Sequence, residues 1–223
     1  PWAQRRSDIA GWAETGTPDL LETVRGFRPT LLLGLSGQRG VFTEPVVRAM
    51  AEGCERPVIF PLSNPTHSAE ALPADLIAWT QGKAIVAAGS PFEPVTYEGR
   101  TFVIGQGNNA FIFPGLGLGA ILSKAREITD GMVLAAAYVL AEYVAERCED
   151  DRVYPDVDEL QVLSRMVAAA VIRQAMDEGV AAERISDPEA AVDAAFWTPR
   201  YLPVVRAATS HMETAAARRM AVG

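Results

Sequence analysis

The sequence has little positive charge, few histidines and only two cysteines. Of its 223 residues, 28 are acidic and 20 are basic, which gives a formal net charge of −8. Nucleic acid and anionic membranes attract basic surfaces, so a chain with this balance is not expected to bind either of them. Cys54 and Cys148 lie far apart and form no CxxC pair. Their isolation indicates two free thiols in a reducing cytoplasm.

Long apolar runs are also missing. A membrane-spanning helix needs about 18 or more consecutive apolar residues, and no such run occurs. The longest apolar stretch, residues 110–122, is interrupted by Pro114 and by glycines. It is therefore predicted to be a buried helix of a globular protein.

Common catalytic and nucleotide-binding motifs are absent. No GxGxxG or GxGxxA motif follows a predicted strand, because residues 34–40 fit neither spacing. His67 and His211 have no nucleophile or metal-ligand partner at a recognisable spacing, and Ser90 lacks the Gly-x-Ser-x-Gly context of a hydrolase. The acidic cluster Glu149-Asp150-Asp151 falls in a predicted turn between helices. It is expected to be solvated and not to hold a metal.

In the first half of the chain, short apolar runs alternate with loops and helical segments. Strands are predicted at residues 30–35, 58–62 and 84–88, and helices between them at 43–52 and 73–80. Strands and helices in this order form right-handed βαβ units with a parallel sheet. The predicted fold class is α/β, with a partial Rossmann-like parallel sheet flanked by helices.

The second half of the chain is rich in alanine, valine and leucine at helical spacing. After a short strand predicted at 102–104, helices are predicted at residues 130–147, 158–178 and 188–196. An apolar stripe on these helices is predicted to be core: Leu134, Val139, Leu140, Val162, Met166 and Val167. We therefore expect a sheet domain over residues 1–125 and a helical segment over residues 126–223 packed on it.

Two loops carry asparagines where a ligand is expected. Asn108 and Asn109 follow two glycines and precede the apolar stretch that is predicted to be a buried helix. Burying an unpaired amide costs about 2 kcal/mol or more, so the pair either caps the helix or binds a polar ligand. Asn64 lies in Leu62-Ser63-Asn64-Pro65-Thr66, directly after a predicted strand. In open α/β sheets, ligands bind at the carboxyl ends of the strands.

These motifs, taken in order, resemble the C-terminal part of the malic enzymes from the first residue to about residue 203. The matching motifs are Pro1-Trp2-Ala3, Pro29-Thr30, Gly34-Leu35-Ser36-Gly37, the helix from Phe42-Thr43 to Met50-Ala51, Arg56-Pro57-Val58-Ile59, Leu62-Ser63-Asn64-Pro65-Thr66, Gly89-Ser90-Pro91-Phe92, Gly105-Gln106-Gly107-Asn108-Asn109, Phe113-Pro114-Gly115 and Tyr154-Pro155.

The resemblance implies an activity and a set of binding residues. Malic enzymes oxidatively decarboxylate (S)-malate to pyruvate and carbon dioxide with NAD or NADP and a divalent metal, Mg or Mn. By resemblance, malate is bound by Asn64, Asn108 and Asn109, and the cofactor by Leu35, Ser36, Gly37 and Asn64. Neutral amides suit this role, because they orient a carboxylate and a hydroxyl without disturbing the pKa of a base. The resemblance places the base, the metal ligands and the glycine-rich loop upstream of residue 1, so no catalytic or metal-binding residue is expected here.

The sequence leaves several alternatives open. Its start at Pro1, without an initiator Met, suggests a fragment that is inactive alone. A stand-alone, non-catalytic module that binds a dinucleotide or an organic acid is the alternative, and a fused phosphate acyltransferase would require sequence beyond Gly223. The choice between NAD and NADP is undetermined, since the deciding strand is missing. By resemblance a homo-oligomer, a dimer or tetramer, is expected, and no function is assigned to residues 203–223.

Overall fold

A four-stranded parallel sheet organises the first half of the chain in the computed structural model, which describes residues 4–13, 16–148, 151–198 and 201. The strands are β1 (Leu31–Gly34), β2 (Val58–Pro61), β3 (Ile85–Ala88) and, after a hairpin, β6 (Gly105–Gln106). Their order across the sheet is β1-β2-β3-β6, and all neighbours run parallel. All four carboxyl ends therefore lie along one edge, which we call the carboxyl edge of the sheet.

Three helices accompany the strands: α1 (Leu20–Phe27), α2 (Glu44–Gly53) and α3 (Pro73–Trp79). A capping box between Asp19 and Glu22 begins α1, and prolines in the first turn begin α2 and α3. Because α2 and α3 each connect neighbouring parallel strands, the predicted βαβ units are confirmed. Both helices share one hydrophobic core cluster with β2. The largest fully buried side chains of this cluster are Met50, Ile59, Leu76 and Ile77.

A two-stranded hairpin lies between β3 and β6. Its strands are β4 (Val95–Tyr97) and β5 (Arg100–Phe102), which pair antiparallel. The strand predicted at 102–104 is therefore wrong, because Arg100–Phe102 pairs with β4 and the fourth strand of the parallel sheet begins only at Gly105. Glu98 and Gly99 form the turn with positive φ angles.

Asp151 is exposed, as expected of a solvated acidic residue, and it links the hairpin to Arg56, which precedes β2. Its carboxylate accepts hydrogen bonds from Arg56 at 2.6 Å and from Arg100 at 2.7 Å. Burial raises the pKa of the Asp151 carboxyl, but the two guanidinium groups outweigh it and hold the pKa below its ordinary value. The other members of the acidic cluster, Glu149 and Asp150, lie outside the described residues, as do Pro1-Trp2-Ala3, His211 and the tail from residue 202.

The second half is helical: α4 (Phe113–Leu122), α5 (Asp130–Arg147), α6 (Leu160–Asp177) and α7 (Pro188–Ala195). Thr129 caps α5 and Asp187 caps α7, each accepting a hydrogen bond from a backbone N–H of the first turn. Residues of α4, α5 and α6 form a second core cluster. Among the described residues, no helix is both long and apolar enough to cross a membrane.

The stripe predicted to be core on α5 and α6 is only partly buried. Val167 is fully buried and Val139 and Leu140 are half-buried, but Leu134 is 52% exposed, Val162 52% and Met166 40%. On α5 the buried residues are instead Met132, Ala136, Tyr143 and Val144. Between residues 131 and 141, α5 has no charged side chain, so this part of its pattern gives no contrast between faces from which the buried one can be chosen.

Candidate functional site

The predicted asparagines and the predicted cofactor loop lie along the carboxyl edge of the sheet. Residues 35–37 follow β1, Ser63 and Asn64 follow β2 closely, Gly89 and Ser90 follow β3, and residues 107–109 follow β6. Neighbouring strands in a sheet are about 4.8 Å apart, so these four loops are adjacent. The structure thus places residues from four separate segments of the sequence along one edge of the sheet.

The loops after β2 and β3 are in backbone contact at Gly89. Its N–H donates to the carbonyl of Pro61 at 3.1 Å. A Cβ at this position would lie 2.1 Å from the carbonyl oxygen of Leu62, which is far inside any van der Waals contact. Only glycine therefore allows the third loop to reach the second.

The side chain of Asn64 is held by Ser90. The Ser90 hydroxyl donates to Oδ1 of Asn64 at 2.5 Å, and Ser90 is only 6% exposed. Asn64 itself is exposed, follows the buried end of β2 and precedes Pro65 through a cis peptide bond. No described residue accepts a hydrogen bond from its Nδ2 group. The amide therefore presents its N–H₂ end for a ligand while its oxygen is engaged by the protein.

Asn108 is arranged in the same way by different means. Its Oδ1 accepts a hydrogen bond from the backbone N–H of Ala110 at 2.9 Å and so caps a 3₁₀ turn over Asn109–Phe111. Asn108 thus caps this short turn and not α4, whose N-cap is Ile112 without a side-chain hydrogen bond. Both asparagines of the pair are exposed. Nδ2 of Asn108 and the Asn109 side chain have no hydrogen-bond partner among the described residues.

The two engaged amides define the chemistry of the edge. Each has its acceptor satisfied within the protein and its two N–H donors unused, so both favour a ligand rich in acceptor oxygens. A carboxylate is such a ligand, and hydrogen bonds to a charged acceptor are stronger than those between neutral groups. Neutral donors also allow an anion to bind to a chain whose net charge is −8.

Glu70 is the group at this edge that the sequence patterns did not reveal. It is a charged residue with 0% exposure, and its carboxylate accepts hydrogen bonds from Ser36 and Ser63 in the loops after β1 and β2. Burial alone would raise the pKa of the Glu70 carboxyl, but the hydrogen bonds from Ser63 and Ser36 together lower it below its ordinary value. The carboxylate therefore stays ionised and acts as an acceptor. Its position between Ala69 and Ala71, in an apolar context, was the available signal.

The predicted cofactor loop has an open outer side. Leu35 is 75% exposed, and Gly37 has a φ of +66°, which favours glycine. The N–H of Gly37 donates to the Ser63 hydroxyl at 2.8 Å. The loop is therefore fixed on its inner side and presents an apolar side chain outward.

Tyr154 connects the helical half of the chain to the carboxyl edge. Its ring stacks on Phe111 and is tilted against Phe60, with ring centroids 6.2 Å apart in each pair. A Cβ on Gly107 would lie 3.5 Å from this ring and 2.8 Å from Leu62. Burial raises the pKa of the Tyr154 hydroxyl. The ring thus packs beside the loop that carries Asn108.

One cluster of acidic side chains is a candidate metal site. Among the described residues, one cluster has metal-like spacing, formed by Asp156, Asp158 and Glu159. Asp156 and Glu159 are engaged in a capping box, and Glu159 also accepts a hydrogen bond from Tyr143 at 2.6 Å. Both carboxylates thus have structural partners, so this cluster does not fit a divalent metal site.

Known proteins have sequences related to this chain. A family model described as "Malic enzyme, NAD binding domain" matches residues 1–176. NAD-dependent malic enzyme 3 of Bacillus subtilis is 45% identical over 207 residues, covering 92% of this chain and 37% of the relative. The NAD-dependent malic enzyme of Pseudomonas syringae is 47% identical over 203 residues, covering 89% of this chain and 36% of the relative. The chain thus spans little more than a third of the length of these relatives.

Solved structures give the same result. The crystal structure of Entamoeba histolytica malic enzyme matches with a TM-score of 0.65 and 30% identity, over 80% of this chain and 33% of that one. The malic enzyme from Pyrococcus horikoshii matches with a TM-score of 0.61 and 28% identity, over 78% of this chain and 36% of that one. These likenesses and the parallel sheet confirm the predicted α/β class and Rossmann-like fold.

Proposed function

This chain belongs to the malic enzyme family, and from that premise we propose that it is part of an enzyme that oxidatively decarboxylates (S)-malate to pyruvate and carbon dioxide. The names of the bacterial relatives support NAD as the cofactor. NADP is the competing possibility. The sheet over residues 1–125 forms the cofactor-binding part in this proposal, and the helices over residues 126–223 pack on it.

The observation that carries the proposal is the pair of amide donors at the carboxyl edge. Neither Nδ2 of Asn64 nor Nδ2 of Asn108 has an acceptor among the described residues. Each amide is oriented by the hydrogen bond that its Oδ1 accepts. Malate is a dicarboxylate with a hydroxyl group, so it offers several acceptor oxygens to such donors. We assign malate binding to Asn64, Asn108 and Asn109.

The chain's own residues bind and orient the reactants. Hydride transfer requires the carbon that bears the malate hydroxyl to face the nicotinamide at about 3–3.5 Å, and fixed donors supply that orientation. Because the amides are neutral, they add no charge that would shift the pKa of a nearby base. We assign the cofactor to Leu35, Ser36, Gly37 and Asn64, which lie on neighbouring loops of the same edge.

Other groups complete the reaction in this proposal. A divalent metal, Mg or Mn, would supply the Lewis acid that decarboxylation of a β-keto acid needs. We place its ligands and the catalytic base outside these 223 residues, so the chain expressed by itself should give no turnover. The family resemblance also supports a cytoplasmic homo-oligomer, a dimer or tetramer, as the working form.

The proposal is tested with the protein expressed from its complete gene. We expect (S)-malate and NAD, with Mn²⁺ present, to give NADH and pyruvate in equal amounts, and (R)-malate to give neither. Omitting the metal should abolish pyruvate formation. Binding of malate or NADH by calorimetry without any turnover would contradict the proposal and support the binding-module alternative.

A further inference from the structure

We propose that Glu70 is a positioning residue that holds the cofactor loop after β1 and the asparagine loop after β2 in one arrangement. This inference rests on the function proposed above. Glu70 touches neither ligand in this account, and acts through Ser36, Ser63 and Gly37.

The hydrogen bonds of Glu70 converge from two loops on a single carboxylate. Oε1 accepts from the backbone N–H of Ser36 at 2.8 Å, from the Ser36 hydroxyl at 2.9 Å and from the Ser63 hydroxyl at 2.5 Å. Oε2 accepts from the backbone N–H of Ser63 at 3.3 Å. Both oxygens are therefore used as acceptors, and both partners are residues of the carboxyl edge.

No basic side chain among the described residues forms an ion pair with Glu70. A buried charge is costly unless hydrogen bonds compensate for it, and here the compensation comes from the hydroxyls and N–H groups of the two loops. The loops after β1 and β2 thus supply the donors that the Glu70 carboxylate needs, and the carboxylate in turn holds both loops in place. A carboxylate buried merely to fill space would not converge on donors from two site loops.

Ser63 extends the effect of Glu70 to the cofactor loop. Its hydroxyl donates to Glu70 and at the same time accepts from the N–H of Gly37 at 2.8 Å. Ser63 also directly precedes Asn64, so one serine connects the carboxylate to both sides of the site. Gly34 makes room for this arrangement, because a Cβ there would lie 2.5 Å from Oε2 of Glu70.

The test compares Glu70→Gln with the unchanged protein, both expressed from the complete gene. Glutamine keeps the length of the side chain but is neutral and has an N–H₂ group in place of one acceptor oxygen. Either the Ser63 N–H that donates to Oε2 or the three donors on Oε1 therefore lose their acceptor. We expect the KM for NAD to rise by about tenfold or more and kcat to change by less than about threefold. This pattern follows because the positioned loops stabilise bound NAD equally in the ground state and in the transition state. The control Glu52→Gln removes an exposed carboxylate of α2 and should change neither constant.

Two further measurements keep the test decisive. If Glu70→Gln does not fold, Ser63→Ala removes the hydroxyl that connects Glu70 to the N–H of Gly37, leaves three donors on Glu70, and should raise the KM for NAD in the same direction by a smaller factor. In the double variant Glu70→Gln/Ser63→Ala, the effects should be less than additive, because both changes break the same chain of hydrogen bonds. Full additivity, or an unchanged KM for NAD in a folded Glu70→Gln protein, would overturn the proposal.

Failure of this inference is separable from failure of the proposed function. NADH binding is measured by titration of its fluorescence, which requires no turnover. Weaker NADH binding by Glu70→Gln in a protein that does not oxidise malate would support the positioning role and reject the function. Equal NADH binding by both proteins would reject the positioning role.

Discussion

Replacing Asn64 with aspartate should lower kcat/KM for malate more than replacing it with alanine does. Alanine removes one donor to a charged acceptor, an interaction of about 1.5–3 kcal/mol, which corresponds to roughly 10- to 150-fold. Aspartate keeps the oxygen that accepts from Ser90. It also places a negative oxygen where Nδ2 faced the ligand, and like charges repel. The further loss should be about tenfold or more.

The same pair of substitutions at Asn108 tests whether both amides act alike. Aspartate at this position retains the acceptor for the N–H of Ala110, so the 3₁₀ turn should persist while malate binding is lost. Steady-state kinetics with malate as the varied substrate provide the measurement. Gln161→Ala, on the exposed side of α6, is the control and should leave kcat/KM unchanged. An aspartate variant at Asn64 that is as active as the unchanged enzyme would show that the N–H₂ end does not face malate.

Alanine should destabilise the protein at two glycines of α4, Gly115 and Gly119, and stabilise it at a third, Gly117. A Cβ on Gly115 would lie 2.6 Å from Cβ of Val167 and 2.7 Å from the carbonyl oxygen of Ser164, and one on Gly119 would lie 2.7 Å from the carbonyl oxygen of Ala168. These obstacles are backbone atoms and the stem of a β-branched side chain, so α4 and α6 must separate. We expect each substitution to reduce the free energy of unfolding by about 1–3 kcal/mol or more.

Gly117 is the matched control, since a Cβ there would have no atom within 4 Å other than those of its adjacent residues and of the backbone of α4 itself. Alanine at this position removes the conformational cost of glycine in a helix and should stabilise the protein by up to about 1 kcal/mol. Thermal melting of the three variants gives the signs directly. Equal melting temperatures for Gly115→Ala and Gly117→Ala would contradict the close packing of α4 against α6.

The parallel sheet was predictable because its strands are short apolar runs between glycines, prolines and loops. The predictions 58–62 and 84–88 correspond to Val58–Pro61 and Ile85–Ala88. The prediction of a strand at 102–104 was wrong because the position of a strand depends on which segment it pairs with and not on composition alone. Phe102 has the side chain of a sheet core but pairs with Val95 in the hairpin.

At the site, Asn64 and Asn108 were visible because their loops carry distinctive local motifs, although their binding roles stay predictions. Glu70 and the Ser90 contact were not visible, since Ser36 lies 34 residues from Glu70 and Ser90 lies 26 residues from Asn64. No local pattern encodes hydrogen bonds between separate strand ends. Once the strand order is known, the polar residues that follow each strand become neighbours, and these contacts can be looked for.

The most direct test of the account is a crystal structure of the protein from the complete gene with malate and NADH bound. We predict that Nδ2 of Asn64 and Nδ2 of Asn108 lie within hydrogen-bond distance, about 2.7–3.2 Å, of malate oxygens. The cofactor should contact the loop of Leu35, Ser36 and Gly37. Malate bound away from the carboxyl edge, with both amides facing solvent, would contradict the account.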